Sequence, residues 1–357
     1  MHENRLMRLR AQMQEQGLEQ LLVTAPSSIF YLTGRRIEPG ERMLALYVDT
    51  QGNSRLYANR LFALSGNVDA DLVEYDDTED AVAVLAEGIR PGVLGIDKVW
   101  PSQFTIRLME KRGDVRPVVG SPAIDRTRMI KDAAEIEAMK RSSALNDQVM
   151  RDVLSGLRRG MTELEGSELY TRSALARGAS GNSFEPLVCY GANCAEPHHG
   201  SDAVTRLKDG DAVIIDVGLL LGDYCSDMTR TVFCGTPTDE QKKVYDLVKR
   251  ANAAGRAAVR PGVPLREVDR AARQIIEEAG YGKYFIHRTG HNIGLEVHEY
   301  PDVSAASGEV CQEGMCFSVE PGIYLPGCFG VRIEDLVVVT RDGCLTLNEA
   351  DREIISL

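Results

Sequence analysis

Four carboxylates stand inside apolar runs that read as strands. Asp216 lies in Val-Ile-Ile-Asp-Val-Gly and Asp227 in Cys-Ser-Asp-Met-Thr-Arg-Thr-Val-Phe. Glu320 lies in Cys-Phe-Ser-Val-Glu-Pro-Gly and Glu334 in Gly-Val-Arg-Ile-Glu-Asp-Leu. A carboxylate taken out of water must find a cation, a hydrogen-bond donor or a proton. Any one of them alone fits a buried ion pair, or a strand end reaching solvent. The arginines nearby, Arg230 and Arg332, are too few to serve all four, and a shared metal is the more economical partner. His291 is the fifth ligand candidate. It lies in His287-Arg-Thr-Gly-His291-Asn-Ile-Gly-Leu-Glu-Val-His298-Glu, where two glycines predict a turn-rich segment with converging side chains. A lone histidine there would fit an ordinary core position; three beside the carboxylate strands point to chemistry. Apart from His2, no histidine precedes His198 and His199, which places the chemistry in the second half of the chain. An oxygen-rich set of this kind suits Mn²⁺, Co²⁺, Fe²⁺ or Zn²⁺. Carboxylates bridge, so these residues suffice for two ions about 3.5 Å apart. A structural thiolate zinc site is excluded by ligand type.

The elements that must position this set follow from periodicity. Leu6, Met7, Leu9 and Met13 give 3–17 a helical face. A strand over 20–25, a helix over 27–33 and strands over 43–49 and 54–58 follow, the last two separated by the turn residues Gln51, Gly52 and Asn53. A helix over 79–89, a strand over 93–97 and a helix over 102–111 continue the alternation. This is a mixed α/β domain with a boundary near Pro122. It carries no recognisable motif and reads as scaffold. Beyond it, a long helix is expected over 126–157. Another covers 237–259, opened by the cap pattern Thr238-Asp-Glu-Gln241, and a third covers 264–279, closed by Gly280. The strand-like runs 212–219, 229–234, 315–319 and 331–340 belong to the same half, with the carboxylates in them or just beside them.

Composition bounds the function classes. The chain has 357 residues, enough for two domains, and a formal net charge of −12. That balance argues against nucleic acid or an anionic membrane as partner, since both require a basic surface. No stretch approaches the length of a membrane span. The N-terminal segment lacks the apolar core of a signal peptide, so a cytoplasmic protein is expected. The 8 cysteines include no CxxC pair and read as small buried hydrophobes.

The motifs IDVG, SDMTRT, HRTGHNIGLEVHE, SVEPGIY and VRIED, in this order, resemble the pita-bread metallopeptidases, which include methionine aminopeptidase, aminopeptidase P and prolidase. The resemblance is strong from about residue 126 onward. It implies an α/β N-terminal domain with a mixed sheet over 1–122. An α+β pita-bread (creatinase/aminopeptidase-like) catalytic domain follows over 123–357. It also implies that Asp216 holds one metal, that Asp227 and Glu334 bridge two, and that His291 and Glu320 complete the sites. A hydroxide between the ions would be the nucleophile. Glu320 would be general base and acid. His198 matches a histidine near the scissile bond, His298 one that stabilises the oxyanion, and His287 a substrate-side histidine. Arg332, grouped with the substrate side, matches an arginine that braces the ligands. His199 has no counterpart of this kind and is left a structural or surface role.

Within the family, Tyr31-Leu-Thr-Gly, Glu38-Pro-Gly-Glu-Arg42 and the segment 312–327 look most like bacterial prolidase, which cleaves Xaa-Pro dipeptides. Two departures bear on that. Glu38 and Gly40 stand where the related loop, which resembles one reaching a partner subunit, often carries Asp and His. Residues 301–314 lack an arginine that some relatives place near the substrate C-terminus, and Arg288 is the candidate replacement or else a surface charge. Aminopeptidase P activity on longer peptides, a non-proline small substrate and a metal-free binding module are the other readings. The resemblance implies a homodimer and, of the ions, Mn²⁺ foremost.

Overall fold

Leu6, Leu9 and Met13 face one way on helix α1 (His2–Glu15) and are buried. The computed structural model describes residues 2–64 and 70–357. The chain divides into two units, Met1–Arg128 and Met129–Leu357. In the first, α1 is followed by β1 (Gln20–Val23), α2 (Pro26–Thr33), β2 (Ala45–Asp49), β3 (Ser54–Asn59) and β4 (Asp71–Tyr75). Then come α3 (Ala81–Glu87), β5 (Gly92–Ile96), α4 (Ser102–Lys111), β6 (Val115–Val119) and α5 (Ser121–Met129). The strands form one mixed sheet in the order β4-β3-β2-β1-β5-β6. The central β1 is antiparallel to β2 and parallel to β5. The outer strands β4 and β6 escape the alternation pattern because each, at a sheet edge, buries only one of its five residues. The expected boundary was near Pro122, but Pro122 opens α5, where a missing N–H is tolerated, and Ala123 and Ile124 behind it are buried.

The second unit begins with α6 (Ala133–Gly156), α7 (Glu163–Ala176), β7 (Gly181–Asn182), β8 (Leu187–Tyr190), β9 (Ala212–Val217), β10 (Leu219–Leu221), β11 (Tyr224–Cys225) and β12 (Met228–Phe233). It continues with α8 (Asp239–Ala258), α9 (Leu265–Glu278), β13 (Gly290–Asn292), β14 (Glu299–Val303), β15 (Cys316–Val319), β16 (Gly322–Leu325), β17 (Phe329–Arg332), β18 (Asp335–Val339) and β19 (Cys344–Thr346). Two antiparallel sheets matter here: β12-β9-β8 and β14-β13-β15-β18-β19. Helix α8 buries Val244, Val248 and Ala251 in a core shared with Ile214, Phe233, Ile323 and Val331. No helix among the described residues is long and apolar enough to cross a membrane.

The expected helix over 126–157 is two helices. The apolar period runs on through the break, but Ile130 bridges Met315 and the Lys131 N–H donates to the Gly314 carbonyl. Asp132 then restarts the helix with a capping box to Glu135. The run 331–340 is likewise split at Ile333 and Glu334, and 212–219 at Gly218. Both interruptions fall beside a carboxylate of the proposed set. Helix α7 was left unassigned by periodicity, although Thr162 and Glu165 form the same capping box.

Candidate metal centre and its cavity

Strand register brings the carboxylates together. In the β9–β12 pair Asp216 lies opposite Thr229, and Met228 opposite Val217. Asp227 therefore precedes β12 on the face that carries Asp216. In the β15–β18 pair Val319 lies opposite Asp335, so Glu320 and Glu334 leave the two strands at the same sheet end. His291 is carried by β13 beside β15, where Asn292 pairs with Phe317. That approach needs Gly290: a Cβ there would sit 1.9 Å from the Ser318 carbonyl oxygen. Gly218 plays the same part for Asp227, since a Cβ would lie 2.2 Å from the Ser226 carbonyl oxygen.

The result is a buried acidic centre. One ligand atom each of Asp227, His291 and Glu334 lie within 4.8 Å of one another. His291 Nε2 is 3.4 Å from Glu320 Oε1 and 3.7 Å from Asp227 Oδ2, spacings suited to groups around an ion rather than to strong hydrogen bonds. The other ring nitrogen, Nδ1, lies 3.1 Å from the Asn292 carbonyl oxygen. A proton on Nδ1 leaves the Nε2 lone pair facing the carboxylates, as a metal ligand requires. Burial, with His298 adding, holds this imidazole down at about 3, so it is neutral. Burial and the neighbouring Asp216 raise both Asp227 and Glu320; Asp227 stands well above the usual carboxylate range and Glu320 at about 7. Burial, then Asp227, raises Glu334 well above it too. Charges this crowded hold protons unless a cation replaces them.

The test of fit for a metal lies in unpartnered atoms. Asp227 Oδ1 and Glu334 Oε1 are buried without a hydrogen-bond partner. Leaving two such atoms unpaired is unfavourable, and a divalent ion satisfies both. The arginines do not fill this need. Arg230 is buried and donates to Asp335 at 2.8 Å, to the Glu334 and Thr229 carbonyls and to Ala350 and Asp351. Arg332 pairs with Asp216 at 2.6 Å, so for that one carboxylate the ion-pair reading holds. The residues present thus fit a divalent-ion site built from Asp216, Asp227, His291, Glu320 and Glu334.

These five residues line one cavity of about 540 Å³, together with His198, His287, Arg288, His298 and Arg332. Phe184, Leu187, Pro197 and Val297 supply apolar wall. His198 and His298 are exposed toward it, and the His298 ring packs edge-on to His291 at 4.3 Å. Burial lowers His298, which favours its neutral form. His287 is committed within the protein: Nδ1 meets the Arg288 carbonyl at 2.7 Å and Nε2 the Tyr324 hydroxyl at 2.8 Å. Arg288 pairs with Asp302 at 2.5 Å, which leaves it half-exposed on the wall. The Arg332 guanidinium donates to Asp216, to the Tyr324 hydroxyl, to Thr229 Oγ1 and to the Pro197 carbonyl. It therefore braces a ligand rather than presenting free N–H groups. Glu38 is an exposed loop residue of the first unit.

Several contributors were not singled out from the sequence. Thr229 Oγ1 donates to Glu334 Oε2 at 2.8 Å, and Ser318 Oγ to Glu320 Oε1 at 2.9 Å. Ser318 also accepts from the His291 N–H, so one hydroxyl ties two candidate ligands. Tyr324 joins His287 to Arg332. All three lie inside the quoted motifs, and their place two to four residues from a candidate ligand was the available signal. Phe184 and Leu187 had none.

Residues 137–341 match the model of metallopeptidase family M24, and residues 5–130 match the creatinase/prolidase N-terminal domain. An uncharacterized peptidase of Staphylococcus saprophyticus is 36% identical over 95% of this chain and 97% of its own length. The crystal structure of recombinant prolidase from Thermococcus sibiricus superposes with a TM-score of 0.93 at 36% identity, covering 100% of this chain and 99% of that one. The Xaa-Pro dipeptidase from Bacillus anthracis superposes with a TM-score of 0.91 at 30% identity, with 100% of both chains covered. The chain belongs to metallopeptidase family M24: a creatinase-type N-terminal domain followed by a pita-bread catalytic domain.

Proposed function

We propose that this metallopeptidase hydrolyses the peptide bond preceding proline, with Xaa-Pro dipeptides as its substrates. The observation that carries the reading is the convergence of Asp216, Asp227, His291, Glu320 and Glu334 on the cavity that His198, His298 and Arg288 also line. The likeness to the solved structures of a prolidase and an Xaa-Pro dipeptidase supports the substrate class. A bond before proline is a tertiary amide without an N–H, so a site for it has no hydrogen bond to make at that nitrogen. The cavity lies within the size range of small-ligand pockets.

Two divalent ions, Mn²⁺ foremost with Co²⁺, Zn²⁺ or Fe²⁺ as alternatives, would be held by Asp216, Asp227, His291, Glu320 and Glu334. When bound they supply Lewis acidity and water of lowered pKa. Glu320 accepts a proton from the attacking water and returns it to the leaving proline nitrogen. Neutral His298 donates an N–H to the carbonyl oxygen as negative charge grows there. His198 contacts the peptide beside the scissile bond. Arg288 faces the substrate carboxylate. His287 and Tyr324 form the wall behind, with Arg332 holding Asp216 in place. Apolar Phe184, Leu187 and Val297 receive the residue before proline. A cytoplasmic homodimer, with Glu38 reaching the partner's cavity, completes the reading that the resemblance supports.

The test is product analysis with metal-loaded protein, one Xaa-Pro dipeptide and one Xaa-Pro-Yaa tripeptide. Cleavage of the dipeptide alone supports the reading. Cleavage of the tripeptide moves it to aminopeptidase P, and no cleavage of either by metal-replete protein sinks the proline assignment.

A further inference from the structure

His198 and His199 are neighbours in the chain with different surroundings. His198 is exposed on the cavity wall. His199 instead meets Glu163, with Nε2 at 3.2 Å from Oε2. Glu163 is fully buried, yet the centre described above makes no use of it. It stands in the first turn of α7, just after the cap Thr162, where the helix end favours an anion. Each of its oxygens accepts twice. Oε1 takes the Tyr190 N–H at 2.7 Å and Asn193 Nδ2 at 3.0 Å. Oε2 takes the Asp202 N–H at 3.2 Å and His199. These donors come from the end of β8, from the turn after it and from two residues, His199 and Asp202, that follow His198 in its loop. One buried carboxyl group thus ties down the excursion between β8 and residue 202.

Glu163, His199 and Asp202 also stand close enough to suggest a second metal site. Their bonding speaks against it. Glu163 is filled by four donors, and Asp202 accepts from the Val204 and Thr205 N–H groups and from the Thr205 hydroxyl. Each of these oxygens already has a hydrogen-bond donor.

We propose that Glu163 and His199 are positioning residues which set His198 against the scissile peptide. The proposal rests on the reading of His198 as a substrate contact. A proton on His199 Nε2 donates to Glu163, and Cys189 Sγ donates to the His199 carbonyl at 3.3 Å, so the residue after His198 is held by side chain and backbone. The Pro197 carbonyl before it accepts from Arg332 at 3.3 Å. His198 is therefore clamped on both sides, on one side by the arginine that braces a candidate ligand and on the other by the buried glutamate.

The test is a double-mutant cycle on full-length, Mn²⁺-loaded protein, with hydrolysis of an Ala-Pro dipeptide and metal content read for every variant. His198→Ala should lower kcat about a hundredfold, the scale of a lost hydrogen bond to the reacting group. Glu163→Gln and His199→Ala should each lower kcat about tenfold at unchanged metal content, and His199→Gln, which keeps an N–H near the Nε2 position, should recover most of it. Each double variant with His198→Ala should be no slower than His198→Ala alone. If the losses instead multiply, or if kcat holds while only thermal stability drops, the proposal is overturned and the His198 reading stands. If His198→Ala itself is as active as the parent, both fall. Should Glu163→Gln fail to fold, the three His199 comparisons decide the matter alone.

Discussion

The floor and the rim of the cavity are built differently. The candidate ligands of the floor sit on strand ends or beside them, and Asp227, His291 and Glu334 are almost wholly buried. Each is tied by register to a partner strand, and hydroxyls of Thr229 and Ser318 pin two of the carboxylates. The rim histidines His198 and His298 are on exposed loop segments. Rigid sheet ends suit groups that must share an ion within a few tenths of an ångström, while loops suit groups that meet a substrate on its way in. Changes on the floor should therefore remove the metal, and changes on the rim should remove turnover with the metal still bound.

The largest effect expected is on the floor. Asp227→Asn and Glu334→Gln remove a charge from atoms that have no other partner, and each should lower activity by about a thousandfold or more with loss of bound metal. Metal analysis of the purified variants checks this, and full occupancy would break the contrast. Next is the rim: His298→Ala should keep the metal and lower kcat about a hundredfold or more. If metal is lost as well, His298 belongs to the floor. Ser318→Ala and Thr229→Val test the support beneath, and a fall of about 10- to 100-fold in metal affinity is expected of groups that orient ligands. Isothermal titration against the parent chain measures it. Phe184→Ala should act least, raising KM several-fold for bulky residues before proline while sparing kcat, as the loss of apolar wall implies.

The same contrast has a pH signature. Burial lifts the Glu320 carboxyl from 4.5 to about 7, and Asp227 and Glu334 move in the same direction. Between those values the folded, metal-free protein holds a proton that the unfolded chain has released. That contribution to stability is therefore lost as pH rises through the window from about 4.5 to about 7. Two contributions have the opposite sign: Asp335, lowered overall by its arginines despite burial, acts only below the ordinary carboxylate range, while His287, His291 and His298, lowered chiefly by burial and the first two to about 3, add stability as pH rises toward the ordinary imidazole value. Above a pH of about 6.5 the imidazoles are neutral in both states, so chelator-treated protein should melt at a lower temperature at about pH 8 than at about pH 6.5, and metal should restore more stability at the higher pH. A metal-free chain that grows more stable over that range would show that the carboxylates are not crowded as described.

The floor was legible in the sequence and much of its support was not. Asp216, Asp227, Glu320 and Glu334 announce themselves because a carboxylate in an apolar strand is expensive unless something holds it. Thr229 and Ser318 do not, because a hydroxyl in a strand is unremarkable until its partner is known. Glu163 was missed for a related reason: it lies in a segment where no strand pattern frames it, and its partners at Tyr190, Asn193, His199 and Asp202 are brought to it only by the tertiary fold. The break between α5 and α6 is also tertiary, set by the Ile130–Met315 bridge across a continuous apolar period. Arg230, weighed as a counter-ion to the candidate ligands, turned out to belong to Asp335 and to the backbone around Glu334.

The most direct test of the account is turnover of a single Xaa-Pro dipeptide by one preparation in three states: as loaded with Mn²⁺, after chelation, and after the ion is restored. The account predicts release of free proline in the first state, its loss in the second and its return in the third. Proline release that survives complete removal of the metal would contradict it.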